Sequence, residues 1–228
     1  MITLITSLIL ALYTLGQLGR VTLFEGVVNF YLFELFILPV FLILLIKYGL
    51  KPIVKAYGSF KTVFIFYFFL IFTYIINLGD YKIAENIIAL LYFLRLAFYP
   101  VFFIYIYRYF SINKQHSKSL RRLLTYTFLA TALISVGQFV LYPDLRNLMY
   151  QGWDPHYNRL FGVYFDTSLA AAIFSIISIY FLIEKKAILS IVFMGLMILT
   201  FSRATYIFYL LTIGIIMFRS FSFRFFAV

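Results

Sequence analysis

Long apolar stretches separated by short charged ones repeat along the whole chain. Each stretch is rich in Leu, Ile and Phe, without the polar alternation of a half-buried strand. About 20 such residues cross a hydrocarbon core of ~30 Å as a helix. Because backbone groups in lipid must be hydrogen-bonded within their own segment, the pattern predicts helices and not strands. Eight spans are predicted, at residues 2–19, 27–46, 62–78, 86–107, 121–142, 165–183, 187–201 and 204–218.

The predicted fold is therefore an all-α, polytopic transmembrane helix bundle forming one integral membrane domain. It comprises five N-terminal helices (1–142), an extracytoplasmic connection (143–164) and the last helices (165–228). The composition agrees, because 64% hydrophobic residues, 12% charged residues and a mean hydropathy of +1.01 cannot cover a soluble globule with polar surface. The lipid bilayer is thus the first expected partner.

The basic residues predict an orientation. Thirteen of the 19 Lys and Arg residues fall in the connections after spans two, four and six or after span eight, beside a single acid, Glu184. The remaining connections carry nearly balanced charge. By the positive-inside rule, the basic side and both termini are cytoplasmic. The net charge of +11 is then an orientation signal, and no nucleic-acid partner is expected.

Two charged residues fall inside predicted spans. Arg95 lies in the middle of the fourth span, and an arginine at that depth costs at least ~2.5 kcal/mol on insertion scales, so it must face protein or water. Glu34 in the second span is a possible partner. The two can form a structural ion pair or mark a functional path, and the sequence leaves both readings open.

A polar stripe follows one face of the fifth span. Thr127, Thr131, Ser135 and Gln138 are spaced by four, four and three residues, which places them together toward the bundle interior. Hydrogen bonding between helices explains the stripe. Lining a translocation path together with Arg95 is the alternative, which would make the protein a small-molecule transporter.

Histidine chemistry is limited by position. His116 and His156 are predicted on opposite membrane sides, so they cannot share a metal site, and none is expected. His156 follows Asp154 in the longest outer connection, where an acid/base role is conceivable. It is the only candidate for a catalytic residue, and an exposed loop histidine is the alternative reading.

Two segments resemble the O-antigen ligase/polymerase family. One runs from Arg159 through Leu-Phe-Gly-Val-Tyr-Phe to Asp166 at the start of a span, and the other is Leu199-Thr-Phe-Ser-Arg203 after the next span. The family has an Arg, a Gly, an aromatic residue and an Asp/Asn-Pro-Asn element before a helix, then Leu-Thr-x-Ser-Arg about forty residues later. Here the arginines are 44 positions apart. The stretches 152–156 and 92–95 are weaker matches.

The resemblance implies a GT-C-like membrane glycosyltransferase of the inner (cytoplasmic) membrane. It would take a glycan from a polyprenyl-diphosphate carrier, such as undecaprenyl diphosphate, at the extracytoplasmic face and pass it to an acceptor in cell-envelope polysaccharide biosynthesis. No cofactor, metal or nucleotide sugar is implied. The carrier diphosphate would be bound by Arg159 and Arg203 with Arg95, and the supporting residues would be Asp166, Ser202 and Glu34.

The chain departs from the family pattern at two places. Thr167 and Ser168 stand where Pro and Asn are usual. Family members also continue beyond the Ser-Arg helix into a large extracytoplasmic loop that carries the catalytic base, whereas this sequence ends at Val228. An incomplete enzyme chain is therefore expected. The alternatives are the small-molecule transporter and a non-catalytic membrane scaffold or remnant.

Overall fold

A computed structural model describes residues 2–23, 28–112, 114–144, 146–147 and 157–225. Within these ranges the chain is mostly helical. Eight α-helices and one two-stranded antiparallel hairpin are present in the described residues: α1 Ile2–Tyr13, β1 Arg20–Leu23, β2 Val28–Tyr31, α2 Glu34–Tyr48, α3 Lys51–Ile76, α4 Ile83–Ser111, α5 Lys114–Leu141, α6 Thr167–Ile183, α7 Ala187–Leu199 and α8 Arg203–Phe225. Short 3₁₀ segments occupy Gly16–Gly19, Asn77–Gly79 and Gly162–Tyr164.

Three helical segments of the described chain are long and apolar enough to cross a membrane: Phe60–Gly79, Ile83–Ser111 and Gln115–Leu141. Shorter apolar helices occur at Ile2–Tyr13, Thr167–Ile183, Ala187–Leu199 and Arg203–Phe218. Large hydrophobic side chains are exposed along these helices, for example Phe68 at 70% and Leu210 at 69%. Such broad apolar exposure is suited to lipid and not to water, and the predicted helical, membrane-associated character is confirmed at this level.

The helices match the predicted apolar stretches, but the first two are shorter than predicted. α1 ends at Tyr13 instead of residue 19, and α2 begins at Glu34 instead of residue 27. The intervening chain forms the hairpin, in which Arg20 pairs with Tyr31 and Thr22 with Asn29. Gly16 and Gly19 interrupt the helix, and the β-branched and aromatic residues that follow favour extended backbone.

The chain divides into two compact units, one comprising residues 1–13 and 19–124, the other residues 14–18 and 125–228. In the first unit, α2 packs against α1 and α4, and α3 packs against α4. Its core is a cluster of buried aliphatic side chains closed by the ring of Tyr105. The cluster comprises Ile2, Ile9, Ile37, Val40, Leu44 and Tyr105.

In the second unit, α6 packs against α7 and α8. Phe174 and Phe181 of α6 are fully buried against Phe193 of α7, with ring centroids 6.1 and 5.5 Å from that of Phe193. Ser178 of α6 donates a 2.8 Å hydrogen bond to the carbonyl of Ser190 and lies 2.9 Å from the hydroxyl of Tyr209 in α8. These contacts fix the three helices whose ends carry the candidate site.

Candidate functional site

The segment before α6 is anchored on α5 by Gln138. Its side-chain oxygen accepts hydrogen bonds from the backbone N–H groups of Phe161 and Gly162, at 3.1 and 2.9 Å, while its amide donates to the carbonyl of Tyr142 at 2.8 Å. Gly162 has φ +57°, and a Cβ there would lie 2.3 Å from the Ser135 hydroxyl. Only glycine combines this conformation with such close approach.

The rest of the polar stripe on α5 is buried, as predicted, and the hydroxyl bonds of Thr131 and Ser135 stay within α5. The hydroxyls of Thr131 and Ser135 donate to the carbonyls four residues earlier, at 2.9 and 2.7 Å. Both side chains are nearly inaccessible, at 1% and 0% exposure. Of Thr131, Ser135 and Gln138, it is Gln138 whose bonds reach another segment, and these bonds fix the chain before α6 on α5.

Arg159 and Arg203 are brought to the same end of the second unit. Between them the backbone N–H of Leu160 donates to the carbonyl of Leu199, the last residue of α7, at 3.0 Å. Arg159 immediately precedes Leu160, and Arg203 begins α8 four residues after Leu199. Arg159 is half-buried and Arg203 is exposed, and neither has an ion-pair or hydrogen-bond partner among the described residues.

Backbone strain is concentrated around these arginines. Among the described residues, four non-glycine residues have positive φ, and three of them adjoin the site: Asn158 (+51°), Phe165 (+52°) and Phe201 (+56°). A bulky residue in the left-handed region is uncommon and costs of order 1–3 kcal/mol. Such strain persists where the surrounding structure fixes it, and it is typical of functional sites.

Asp166 and Ser202 have local structural roles. The Asp166 carboxylate caps α6 by accepting from the N–H of Leu169 at 2.7 Å. Ser202 precedes α8, and its hydroxyl lies 3.1 Å from that of Thr205. Asp166 thus fixes the start of α6, and both side chains have a local hydrogen-bond partner without a ligand.

Whereas Arg159 and Arg203 belong to the second unit, Arg95 belongs to the first unit and is engaged there. Its guanidinium lies 2.6 Å from the Glu34 carboxylate, donates to the carbonyl of Asn29 at 2.9 Å and lies over the ring of Tyr31. Tyr99 also bonds the same Glu34 oxygen. The structural ion pair is therefore present, and it ties the hairpin, α2 and α4 together.

The ends of the connection predicted to be extracytoplasmic are joined by backbone bonds. Asp144 forms an isolated antiparallel bridge with Tyr157, and the N–H of Asn158 donates to the carbonyl of Pro143 at 3.0 Å. Hydrogen bonds from the Arg146 side chain and backbone lower the pKa of Asp144 to about 2. This carboxylate is thus ionised near neutral pH and already paired, which does not suit a general acid.

His156, the one catalytic candidate, lies outside the described residues, as do the adjoining Trp153 and Asp154. In the part of the chain that the structure describes, no group of three His, Asp or Glu side chains is placed to hold a metal ion. An acid/base residue is therefore not assigned.

Sequence reasoning missed two features of these sites. Tyr99 lies four residues after Arg95 on α4, a spacing that brings side chains together on a helix, so it could have been added to the charged pair. The bond from Leu160 to Leu199 had no sequence signal, because it joins backbone groups brought together by the packing of α6 on α7.

The chain matches no protein-family model, no curated protein and no solved structure.

Proposed function

We propose that this protein is a membrane glycosyltransferase of the O-antigen ligase/polymerase type, whose second unit binds the diphosphate of a polyprenyl-linked glycan. The observation that supports this most is the backbone bond from Leu160, which follows Arg159, to Leu199, which precedes Arg203 by four residues; neither arginine has a partner among the described residues. Two guanidinium groups without partners, one in the segment before the Gly162–Tyr164 turn and one at the start of α8, are suited to a ligand that brings its own negative charge.

A diphosphate fits the chemistry of this pair. The planar fork of arginine matches phosphate oxygens and stays charged at every working pH. The N-terminus of α8 adds partial positive charge from its unpaired N–H groups, which is a favourable environment for phosphate. Eight spans with both termini cytoplasmic would place this site at the extracytoplasmic face of the inner membrane, where the carrier presents its glycan.

The test measures binding of undecaprenyl diphosphate to the purified protein in detergent. The double variant Arg159→Ala/Arg203→Ala should lose affinity by at least about tenfold, since a hydrogen bond to a charged group contributes about 1.5–3 kcal/mol. The matched control is Arg146→Ala/Lys82→Ala, which removes two cations predicted on the same face. Arg146 is held by Asp144, so this control should bind normally.

Unchanged carrier binding in the arginine double variant would overturn the proposal. The transporter alternative makes a different prediction, because Arg95→Ala should then abolish solute uptake while leaving carrier binding intact. Glycan transfer by the wild-type chain, measured with a carrier-linked oligosaccharide, separates an enzyme from a non-catalytic carrier-binding scaffold.

A further inference from the structure

A cavity of about 460 Å³ lies in the first unit, where α2 ends, α3 begins and α4 ends. The turn between α2 and α3 is fixed at its rim, because the buried Tyr105 donates its hydroxyl to the carbonyl of Gly49 at 2.6 Å. The wall therefore has a defined shape. It combines cationic and aromatic side chains, among them Lys51, Lys55, Phe60, Phe103, Tyr107 and Arg108.

The charge in this cavity is of one sign. Lys51 and Lys55 are one helical turn apart on α3, and Arg108 lies across from them on α4. The lining contains no acidic residue, and none of the three cations has an ion-pair partner among the described residues. The N-terminus of α3 at Lys51 adds further positive potential. An anion would complete this site.

The cavity also lies near the C-terminal end of α4. α4 has 29 residues and is about 43 Å long, which exceeds the ~30 Å hydrocarbon core, so one end must reach the headgroup layer. Arg108 is in its last turn. Toward the span, the wall continues with Phe60 and Phe103, whose ring centroids are 6.4 Å apart. A cavity with cations at one end and aromatic rings at the other suits an amphiphilic ligand, which has a charged headgroup and an apolar chain.

We propose that this cavity binds one anionic glycerophospholipid, with the headgroup phosphate among Lys51, Lys55 and Arg108 and an acyl chain along Phe60 and Phe103. Basic pockets between membrane helices on the cytoplasmic side recognise such headgroups. The charge distribution predicts that side for this cavity. The site lies within the first unit and does not rest on the proposed function.

The experiment is native mass spectrometry of the purified full chain with dioleoyl phosphatidylglycerol. Dioleoyl phosphatidylcholine, with the same chains and no net charge, is the lipid control. Wild type should retain one phosphatidylglycerol. The triple variant Lys51→Gln/Lys55→Gln/Arg108→Gln should bind it about 100-fold more weakly, since each basic residue contributes roughly fivefold. The single variant Lys55→Gln, which removes one exposed charge, should show the fivefold step by itself.

The matched variant Lys118→Gln/Arg122→Gln/Lys185→Gln removes three cations on the same predicted side but outside the cavity, and it should bind like wild type. Equal loss in both triple variants would indicate diffuse attraction and overturn the proposal. Equal retention of phosphatidylcholine would do the same. Displacement by millimolar inorganic phosphate would show a free-anion site in place of a lipid site, whereas resistance to phosphate supports the role of the acyl chain.

Discussion

At the scale of single residues, the three site arginines have different environments. Arg95 is held by a carboxylate, a backbone carbonyl and a tyrosine hydroxyl, with a side chain 25% exposed. Arg159 and Arg203 have no such partners among the described residues. Because a buried charge is stable only when it is paired, Arg95 is better explained as a structural residue, and ligand binding is better assigned to the other two.

A double-mutant cycle on Arg95 and Glu34 tests the structural role. Arg95→Met alone leaves the Glu34 carboxylate, 15% exposed, without its cation, so adding Glu34→Gln should restore part of the lost stability. We expect a coupling of about 0.5–3 kcal/mol, measured from unfolding midpoints in detergent. Arg203→Met is the control and should shift stability by no more than about 0.5 kcal/mol. Additive single effects would show that the pair does not stabilise the first unit.

At the scale of elements, the decisive contact is the seating of the Gly162–Tyr164 turn on α5. Gln138 accepts both N–H groups that enter this turn, and Gly16 approaches it from a distant part of the chain, where a Cβ would lie 2.4 Å from the carbonyl oxygen of Val163. Gly16 and Gly162, both with positive φ, thus allow close packing around the turn that a larger residue would prevent. The position of Arg159 depends on this packing.

Gly162→Ala should therefore be destabilising. The new methyl group would meet the Ser135 hydroxyl and occupy a left-handed backbone, and overpacking of this kind typically costs about 1–3 kcal/mol. Gly137→Ala is the matched control on α5, where a Cβ would have nothing within 4 Å. Alanine favours a helix interior over glycine by roughly 0.5–1 kcal/mol, so the control should become more stable. Thermal unfolding in detergent measures both, and changes of the same sign would contradict the packing described.

The sequence predicted the helices well because their apolar runs are long and the membrane leaves few alternatives to a helix. It offered the Glu34–Arg95 ion pair as one of two readings, because opposite charges within membrane spans are usually paired. It did not predict the hairpin at Arg20–Leu23 and Val28–Tyr31, because its pattern indicates a short connection at residues 20–26 and helix in the apolar residues on either side. The backbone bond between Leu160 and Leu199 depends on the packing of α6 on α7, which no local pattern specifies.

At the scale of the whole molecule, the two proposed ligand sites belong to different units, and the positive-inside rule predicts different membrane faces for them. The lipid site lies among basic residues of the predicted cytoplasmic side. The diphosphate site lies where basic and acidic residues nearly balance. A carrier diphosphate would thus be selected by two placed arginines and not by a general positive field, which would attract any anionic lipid.

This arrangement depends on α4 and α5 each crossing the membrane, which single cysteines can test because the chain has none of its own. Asp80→Cys precedes α4, Ile112→Cys lies between α4 and α5, and Asn147→Cys follows α5, all at exposed positions. A membrane-impermeant maleimide should label positions 80 and 147 in intact cells, and position 112 only after lysis, as the positive-inside rule requires. The opposite pattern would place Arg159 and Arg203 in the cytoplasm and remove the outer-leaflet carrier from consideration. Equal labelling of all three would mean that α4 and α5 do not cross, and the broad apolar surface would then need another partner.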